Sequence, residues 1–371
     1  MKKKWKVAII GFDHMHAGDW LRLIVESERA ELAGIYDSDP ARLAGVANDF
    51  NVDEALRFTD AGPLIDSGEL DIAVICSTTA EHPMWTDRLA RAGVNVIVEK
   101  PFATTLAEAD QMIASAAKGH VNLAVNWPLA WYPPHRTTER LIREGFIGDV
   151  REVHYYDGNR GPLWHLHDKK EANGAIDPEA KRATWWYQAA RGGGSLLDYL
   201  GYGVTLGTWF RGGELPSAIT ASVHVAPGDE VDEQSVVVAE FPGGLSTFQT
   251  RWGTFTDPWT HQPQPKCGFV VVGTKGTIAT YDYEDHVTAQ TADHPEGIAI
   301  PVDDLEACDR DGLANMIAAL DAGTDVTGPV SPWISRAGQR IVDSAREALR
   351  QRTTVELAGS SDEALKAAVA A

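Results

Sequence analysis

The chain of 371 residues carries only three cysteines, Cys76, Cys267 and Cys308, and they are far apart. None has metal-binding spacing, and an odd number of scattered thiols fits a reducing compartment better than a disulfide framework. Positive charge is scarce as well: 33 Lys and Arg face 53 Asp and Glu, a net charge of -20. That balance excludes the attraction on which non-specific binding to nucleic acid or to an anionic membrane depends. Long apolar runs are also missing. The start, Met1-Lys2-Lys3-Lys4-Trp5, is basic, yet the run behind it lasts only from Val7 to Ile10 before Gly11, too short for a signal segment. No stretch approaches a membrane span, and no repeat or low-complexity segment is visible. The cytoplasm is the expected location.

Hydrophobic residues make up 44% of the chain, ample for the cores of the two domains that this length implies. The first domain, residues 1–125, reads as strand and helix in alternation. Lys6 to Ile10, Leu32 to Tyr36, Leu70 to Cys76 and Asn95 to Glu99 are short apolar runs, and helices are expected near Trp20 to Ile24 and Pro83 to Ala92. That rhythm predicts an α/β fold with a doubly wound parallel sheet, a Rossmann dinucleotide-binding domain. From residue 126 to 371 the pattern changes to alternating runs: Arg151 to Tyr156, Ala218 to Val225, Ser235 to Phe241, Ser246 to Trp252, Phe269 to Val272 and Thr277 to Tyr283. Tight turns such as Pro242-Gly243-Gly244 join neighbours, so the second domain is expected to be α+β around a large, mainly antiparallel sheet. Helices are expected over His135 to Glu144, Leu313 to Leu320 and Ser331 to Leu349, with a short one at Asp362 to Ala371.

One absence bears directly on function. A dinucleotide site normally follows its first strand with G-x-G-x-x-G, whereas here Gly11-Phe12-Asp13-His14-Met15-His16 keeps only the first glycine. A carboxylate at the second position repels phosphate unless it turns away. Asp37, at the end of the second strand, stands where it could accept from both ribose hydroxyls, and Ser38 and Asp39 beside it favour NAD over NADP. His14 or His16 could donate an N–H to a phosphate oxygen in place of the lost glycine amide. The pairs His14-x-His16 and His165-x-His167-Asp168 also invite a metal reading, but zinc needs three or four ligands at defined positions, and no metal is assigned.

The run Asn95-Val96-Ile97-Val98 ends in Glu99-Lys100-Pro101, which places Lys100 at the carboxyl end of a buried parallel strand, where open α/β sheets bind ligands. Farther on, Arg191-Gly192-Gly193-Gly194 leads into a helix with Asp198 and Tyr202 four residues apart on one face. A carboxylate, a phenol and a lysine make a plausible acid/base set. Twelve tryptophans, among them Trp127, Trp131, Trp164, Trp185 and Trp186, offer flat faces suited to sugar rings.

With these residues together, the chain resembles the glucose-fructose oxidoreductase, inositol dehydrogenase and rhizopine-catabolism family (Gfo/Idh/MocA) over nearly its whole length. The resemblance rests on Glu99-Lys100-Pro101, on Asp71 to Thr78 followed by His82, on Asn126, on Ile142 to Gly148, and on the three glycines with Asp198. It implies bound NAD, with Gly11, Phe12, Asp13, His14, Met15, Asp37, Ser38, Ser77, Thr78, His82, Glu99, Lys100 and Asn126 around it. A carbohydrate or cyclic polyol is implied against Lys100, Trp127, Trp164, Tyr187, Asp198 and Tyr202. Lys100, Asp198 and Tyr202 are then the catalytic candidates, Tyr202 standing where the family has a histidine and gaining phenolate character from a neighbouring ammonium. Lys100 is the alternative base. The resemblance further implies a Lys-Pro bond that can be cis, and a homodimer or homotetramer built on the second sheet. Two other readings stay open: tightly held NAD serving transient sugar oxidation in glycoside cleavage, and a non-catalytic sensor of the same fold.

Overall fold

The computed structural model describes residues 3–164, 177–254 and 265–357. The helix expected at Asp362 to Ala371, the side chain of Trp164, and His165, His167 and Asp168 lie outside the described residues.

The first part of the chain builds β1 (Trp5–Ile10), α1 (Ala17–Glu26), β2 (Ala30–Tyr36), α2 (Pro40–Asp49), β3 (Arg57–Phe58), α3 (Gly62–Ile65), β4 (Ile72–Ile75), α4 (His82–Arg91), β5 (Asn95–Glu99), α5 (Leu106–Gly119) and β6 (Leu123–Asn126). The six strands form one sheet in the order β3-β2-β1-β4-β5-β6, and every pair is parallel. Strands covered by helices on both faces need apolar side chains on both, which is why Ile72 to Ile75 are all buried. The order reverses direction between β1 and β4, and the crevice for a ligand opens there. Local chemistry fixes the helix starts. Asp39 caps α2 through the Ala41 and Arg42 amides with Pro40 behind it, and Thr105 with Glu108 closes a capping box on α5, each cap contributing about 1 kcal/mol.

The second part adds α6 (Pro133–Arg143), β7 (Val150–Gly158), α7 (Pro178–Ala183), α8 (Ser195–Phe210), β8 (Ala218–His224), β9 (Gln234–Phe241), β10 (Gly244–Arg251), β11 (Gly268–Gly273), β12 (Gly276–Tyr281), β13 (His286–Thr291), β14 (His294–Pro301), α9 (Gly312–Ala322), α10 (Pro332–Gln351) and β15 (Val355–Glu356). Nine strands form a second sheet in the order β14-β13-β12-β11-β7-β10-β9-β8-β15, antiparallel except where β7 meets β10. Helix α8 is buried along its whole length between that sheet and α10. Its glycines make this possible: Gly201 faces the Trp127 ring and Gly203 the Tyr155 ring, each closer than a side chain would allow. Helix α10 returns to the first domain and packs on α5, where Asp343 accepts from the Leu106 amide at 2.7 Å. The carboxyl ends of β4 and β5 thus face the start of α8 across a shared cleft.

Candidate active site

Strand β5 delivers Glu99 and Lys100 fully into the interior, at 0% and 2% exposure, and the Lys100-Pro101 bond is cis. Lys100 Nζ donates to Asp198 on the first turn of α8, an ion pair joining the end of β5 to a helix of the second domain. Three rings surround the same ammonium, with centroids 5.5 Å away for Trp186, 5.8 Å for Tyr199 and 5.4 Å for Tyr202. Such faces stabilise a cation electrostatically. Asp198 Oδ2 has no hydrogen-bond partner among the described residues, so one acceptor is left over beside the lysine.

A cavity of about 420 Å³ opens in front of this pair, lined by Lys100, Asn126, Tyr199 and Tyr202, by Met15, His16 and Trp20 on the α1 side, and by Asp157, Asn159, Asp282 and Tyr283 of the second sheet and its adjoining loops. Asp157, at the end of β7, accepts from the Tyr155 hydroxyl at 3.1 Å. Burial and the neighbouring Asp282 charge push its carboxyl up to about 7. Asp282 is itself held by His135 Nε2 at 3.0 Å. The phenol of Tyr202 moves the opposite way from the sequence expectation: burial, then the charges of Asp198, Glu99 and Asp157, push it well up from its ordinary value. Its setting favours the neutral phenol, and a phenolate base at neutral pH does not fit it.

The cofactor crevice is formed by the loop after β1. Gly11 has φ of +83°, and a Cβ there would come within 2.9 Å of the Ser77 backbone, so this turn accepts glycine alone. Asp13 is held by a cation. Its carboxylate meets Arg42 Nη1 at 3.0 Å, while Arg42 Nε and Nη2 hold Asp37 at 2.7 and 2.8 Å. Asp37 also accepts from the Phe12 and Asp39 amides. Arg42 therefore sits between the two carboxylates and neutralises part of the repulsion expected at this motif. Sequence reasoning missed it, although a signal existed: a cation in the first turn of α2 opposes the helix dipole and implies a carboxylate partner.

These residues fit a dinucleotide. The hydroxyls of Thr78 and Thr79 are buried at the end of β4 with no partner among the described residues, and no side chain caps the start of α1, where backbone donors bind phosphate. Over the crevice lie Trp185 and Trp186, stacked at 3.8 Å, with Trp185 Nε1 donating to the Asp13 carbonyl at 3.1 Å. Ser38 is exposed at the rim.

Several of the expected site residues are engaged within the protein. His82 is completely buried, and its Nδ1 bonds the Phe102 carbonyl at 3.2 Å, which ties down the turn after β5. His16 Nδ1 is turned to Glu99 at 2.9 Å, and His14 is buried beside it at 1% exposure. Trp127 is 2% exposed, packs beneath α8 and gives its indole N–H to Ser335 at 3.0 Å, outside the cavity. Tyr187 donates to Glu233 at 2.8 Å under Lys181, also away from the cavity. Asn126 is where a site residue should be, donating to Glu99 at 2.7 Å and accepting from Trp131 at 2.9 Å.

Comparison with known proteins agrees with this geometry. The profile described as an oxidoreductase family with an NAD-binding Rossmann fold matches residues 5–127, and that of the GFO/IDH/MocA C-terminal domain matches residues 135–279. D-apiose dehydrogenase of Paraburkholderia graminis is 32% identical over 149 residues, 39% of this chain and 38% of that protein, so the match spans well under two thirds of its length. 1,5-Anhydro-D-fructose reductase of Ensifer adhaerens is 24% identical over 89% of this chain and 93% of its own. The crystal structure of aldose-aldose oxidoreductase from Caulobacter crescentus, complexed with glycerol, superposes with a TM-score of 0.76 at 22% identity, covering 96% of this chain and 100% of that one.

Proposed function

The chain belongs to the Gfo/Idh/MocA oxidoreductase family, and from that premise we propose that it is an NAD-dependent dehydrogenase oxidising a secondary alcohol of a carbohydrate or cyclic polyol. The observation that carries this reading is the buried Lys100–Asp198 pair at the mouth of a cavity between an NAD-binding domain and a second sheet. When bound, the nicotinamide supplies the hydride acceptor.

The rest is work for the chain's own side chains. Lys100, held by Asp198 and boxed by Trp186, Tyr199 and Tyr202, orients the reacting hydroxyl and polarises its oxygen. The hydroxyl proton needs an acceptor that is partly ionised at neutral pH, and in this cavity Asp157, pushed up to about 7, meets that need. Tyr202 serves as a neutral hydrogen-bond donor. NAD is preferred to NADP because the ribose end is guarded by two carboxylates for one guanidinium, Asp13, Asp37 and Arg42, and a 2'-phosphate would meet surplus negative charge. Assaying a panel of unphosphorylated sugars and polyols with both nucleotides tests this. Hydride transfer to no member, or a higher kcat/KM with NADP, would count against it.

A second reading draws support from the Trp185–Trp186 cover. A crevice closed by stacked indoles suits a cofactor retained through repeated cycles of transient sugar oxidation, as glycoside cleavage without net redox requires. Denaturing the purified protein and assaying for released nucleotide separates the two. The oligomer is part of the proposal: one face of the nine-stranded sheet pairs two copies, and light scattering that returned a monomer would remove it.

A further inference from the structure

Three ligand-type side chains meet at the carboxyl end of β5 without a joint task in the reading above. His16 Nδ1 lies 2.9 Å from Glu99 Oε2, and His14 Nδ1 lies 3.9 Å from the same oxygen. The two imidazole centroids are 4.5 Å apart, and one ligand atom from each residue lies within 4.8 Å of the other two. We propose that His14, His16 and Glu99 bind a borderline divalent metal ion of the zinc class, one residue away from Lys100.

Geometry and chemistry agree on this. Bonds of about 2.0–2.1 Å in a tetrahedral zinc site place neighbouring ligand atoms roughly 3.3 Å apart. The observed 2.9 and 3.9 Å to Glu99 lie on either side of that, near the spacing a shared ion needs. Two imidazoles and a carboxylate select zinc, cobalt, iron or manganese over magnesium and calcium, which prefer oxygen ligands alone. The carboxylate is already aimed. Glu99 Oε1 accepts from Trp20 Nε1 at 2.6 Å and from Asn126 Nδ2 at 2.7 Å, the outer hydrogen bonds that fix a ligating carboxylate.

His14 supplies an independent sign. At 1% exposure its Nδ1, the nitrogen that faces Glu99, takes only a 3.3 Å contact from the His16 amide. A buried ring so weakly engaged costs stability unless something outside the protein completes it. His16 and Asn126 line the cavity together with Lys100, so a water or a substrate oxygen can take the open coordination position, as in three-ligand catalytic sites. The sequence pair His14-x-His16 lacked its third ligand only because Glu99 comes from a strand far along the chain.

The test needs neither sugar nor NAD, so its outcome is independent of the dehydrogenase reading. Chelator-treated full-length protein is titrated with Zn²⁺ by calorimetry and with Co²⁺ by visible absorption. We expect one tight ion per chain with the intense bands of a low-coordinate cobalt site. His16→Gln should weaken binding by at least 10–100-fold, the loss seen even for outer-sphere changes. His286→Ala should leave it unchanged; that variant addresses Glu284, Asp285 and His286, the other such grouping among the described residues. Because His16→Gln could perturb folding, X-ray absorption at the zinc edge of the unaltered protein provides a second measurement, with two imidazoles and oxygen expected. Absence of binding, binding lost with His286→Ala but kept with His16→Gln, or a zinc edge without imidazole scattering would each overturn the proposal.

Discussion

Trp185 Nε1 donates to the carbonyl of Asp13 at 3.1 Å, a single hydrogen bond that fastens the second domain onto the loop where a cofactor's phosphates belong. Trp186 stacks beneath it and reaches the His14 ring at 5.2 Å. The cover is therefore continuous from the crevice rim to Lys100, and cofactor exchange is expected to need it to lift. Trp185→Phe keeps the stack and deletes the bond. A lost hydrogen bond of about 1 kcal/mol corresponds to roughly a fivefold faster release of NADH. Stopped-flow fluorescence of nucleotide release reads this directly, and an unchanged rate would detach the cover from cofactor exchange.

Arg42 has two carboxylates to satisfy, and removing it exposes both. Arg42→Gln leaves Asp13 and Asp37 facing each other at the crevice with no cation between them. The guanidinium is about a third exposed, so the cost is well below that of a fully buried pair, about 1–2 kcal/mol. NAD affinity should fall as well, since phosphate then meets an unscreened Asp13. Adding Asp13→Asn to the same variant should recover part of both losses in urea titrations and nucleotide-binding measurements. Full independence of the two substitutions would show that Arg42 does not act through Asp13.

The identity of the proton carrier separates Asp157 from Tyr202. Asp157→Asn keeps the acceptor for the Tyr155 hydroxyl but cannot titrate, and kcat should fall by about 10²–10⁴, the usual share of a general base. Tyr202→Phe, with a phenol that burial holds neutral, should cost less than about tenfold, the worth of one hydrogen bond. The reverse ranking would return the role to the phenol.

How much of this was readable from the sequence depends on how local the cause is. The parallel strands were legible because β1, β4 and β5 are continuous apolar runs, and Lys100 because it ends one of them. Strands β13 and β14 escaped because His286 to Pro301 is mixed in polarity and one strand is mostly exposed, so alternation is weak. Strand β6 is only four residues and went unpredicted, its last residue, Asn126, being read as the opening of the second domain. At the site, Asp198 declared itself through its helix. Asp157 and Arg42 did not, since each takes its meaning from partners brought together by the fold: Asp282 for the first, Asp13 for the second. Trp127 and Tyr187 misled because an aromatic side chain does not reveal in sequence which way it faces.

The same carboxyl gives a stability signature. A raised pKa means that folded Asp157 keeps its proton between about pH 4 and 7, where the unfolded chain has lost it. The folded state then binds more protons, so unfolding free energy decreases as pH rises through that window. The upper bound for a shift of this size is on the order of 4 kcal/mol. Asp232, pushed up to about 7 chiefly by burial, acts in the same direction, so the signature is a difference between proteins. Asp157→Asn should flatten the decline between pH 4 and 7 without abolishing it, as measured by urea unfolding across that range. A parallel curve for the variant would place the raised carboxyl elsewhere.

Helix α8 couples packing to this chemistry. A Cβ on Gly203 would stand 2.3 Å from Tyr155 Cδ1, and the Tyr155 hydroxyl is what Asp157 accepts from. Gly203→Ala gains helix propensity, but overpacking a closed core costs about 1–3 kcal/mol, which exceeds that gain. The ring can yield only by shifting along β7, and that shift moves Asp157. Gly207→Ala is the matched control, because its Cβ meets Phe248 at 3.2 Å, a contact relieved by a few tenths of an ångström, and does not touch Tyr155 directly. Gly203→Ala should therefore lower both the melting temperature and kcat, whereas Gly207→Ala should affect kcat little at most. Equal effects on kcat would break the link between the helix and the carboxylate.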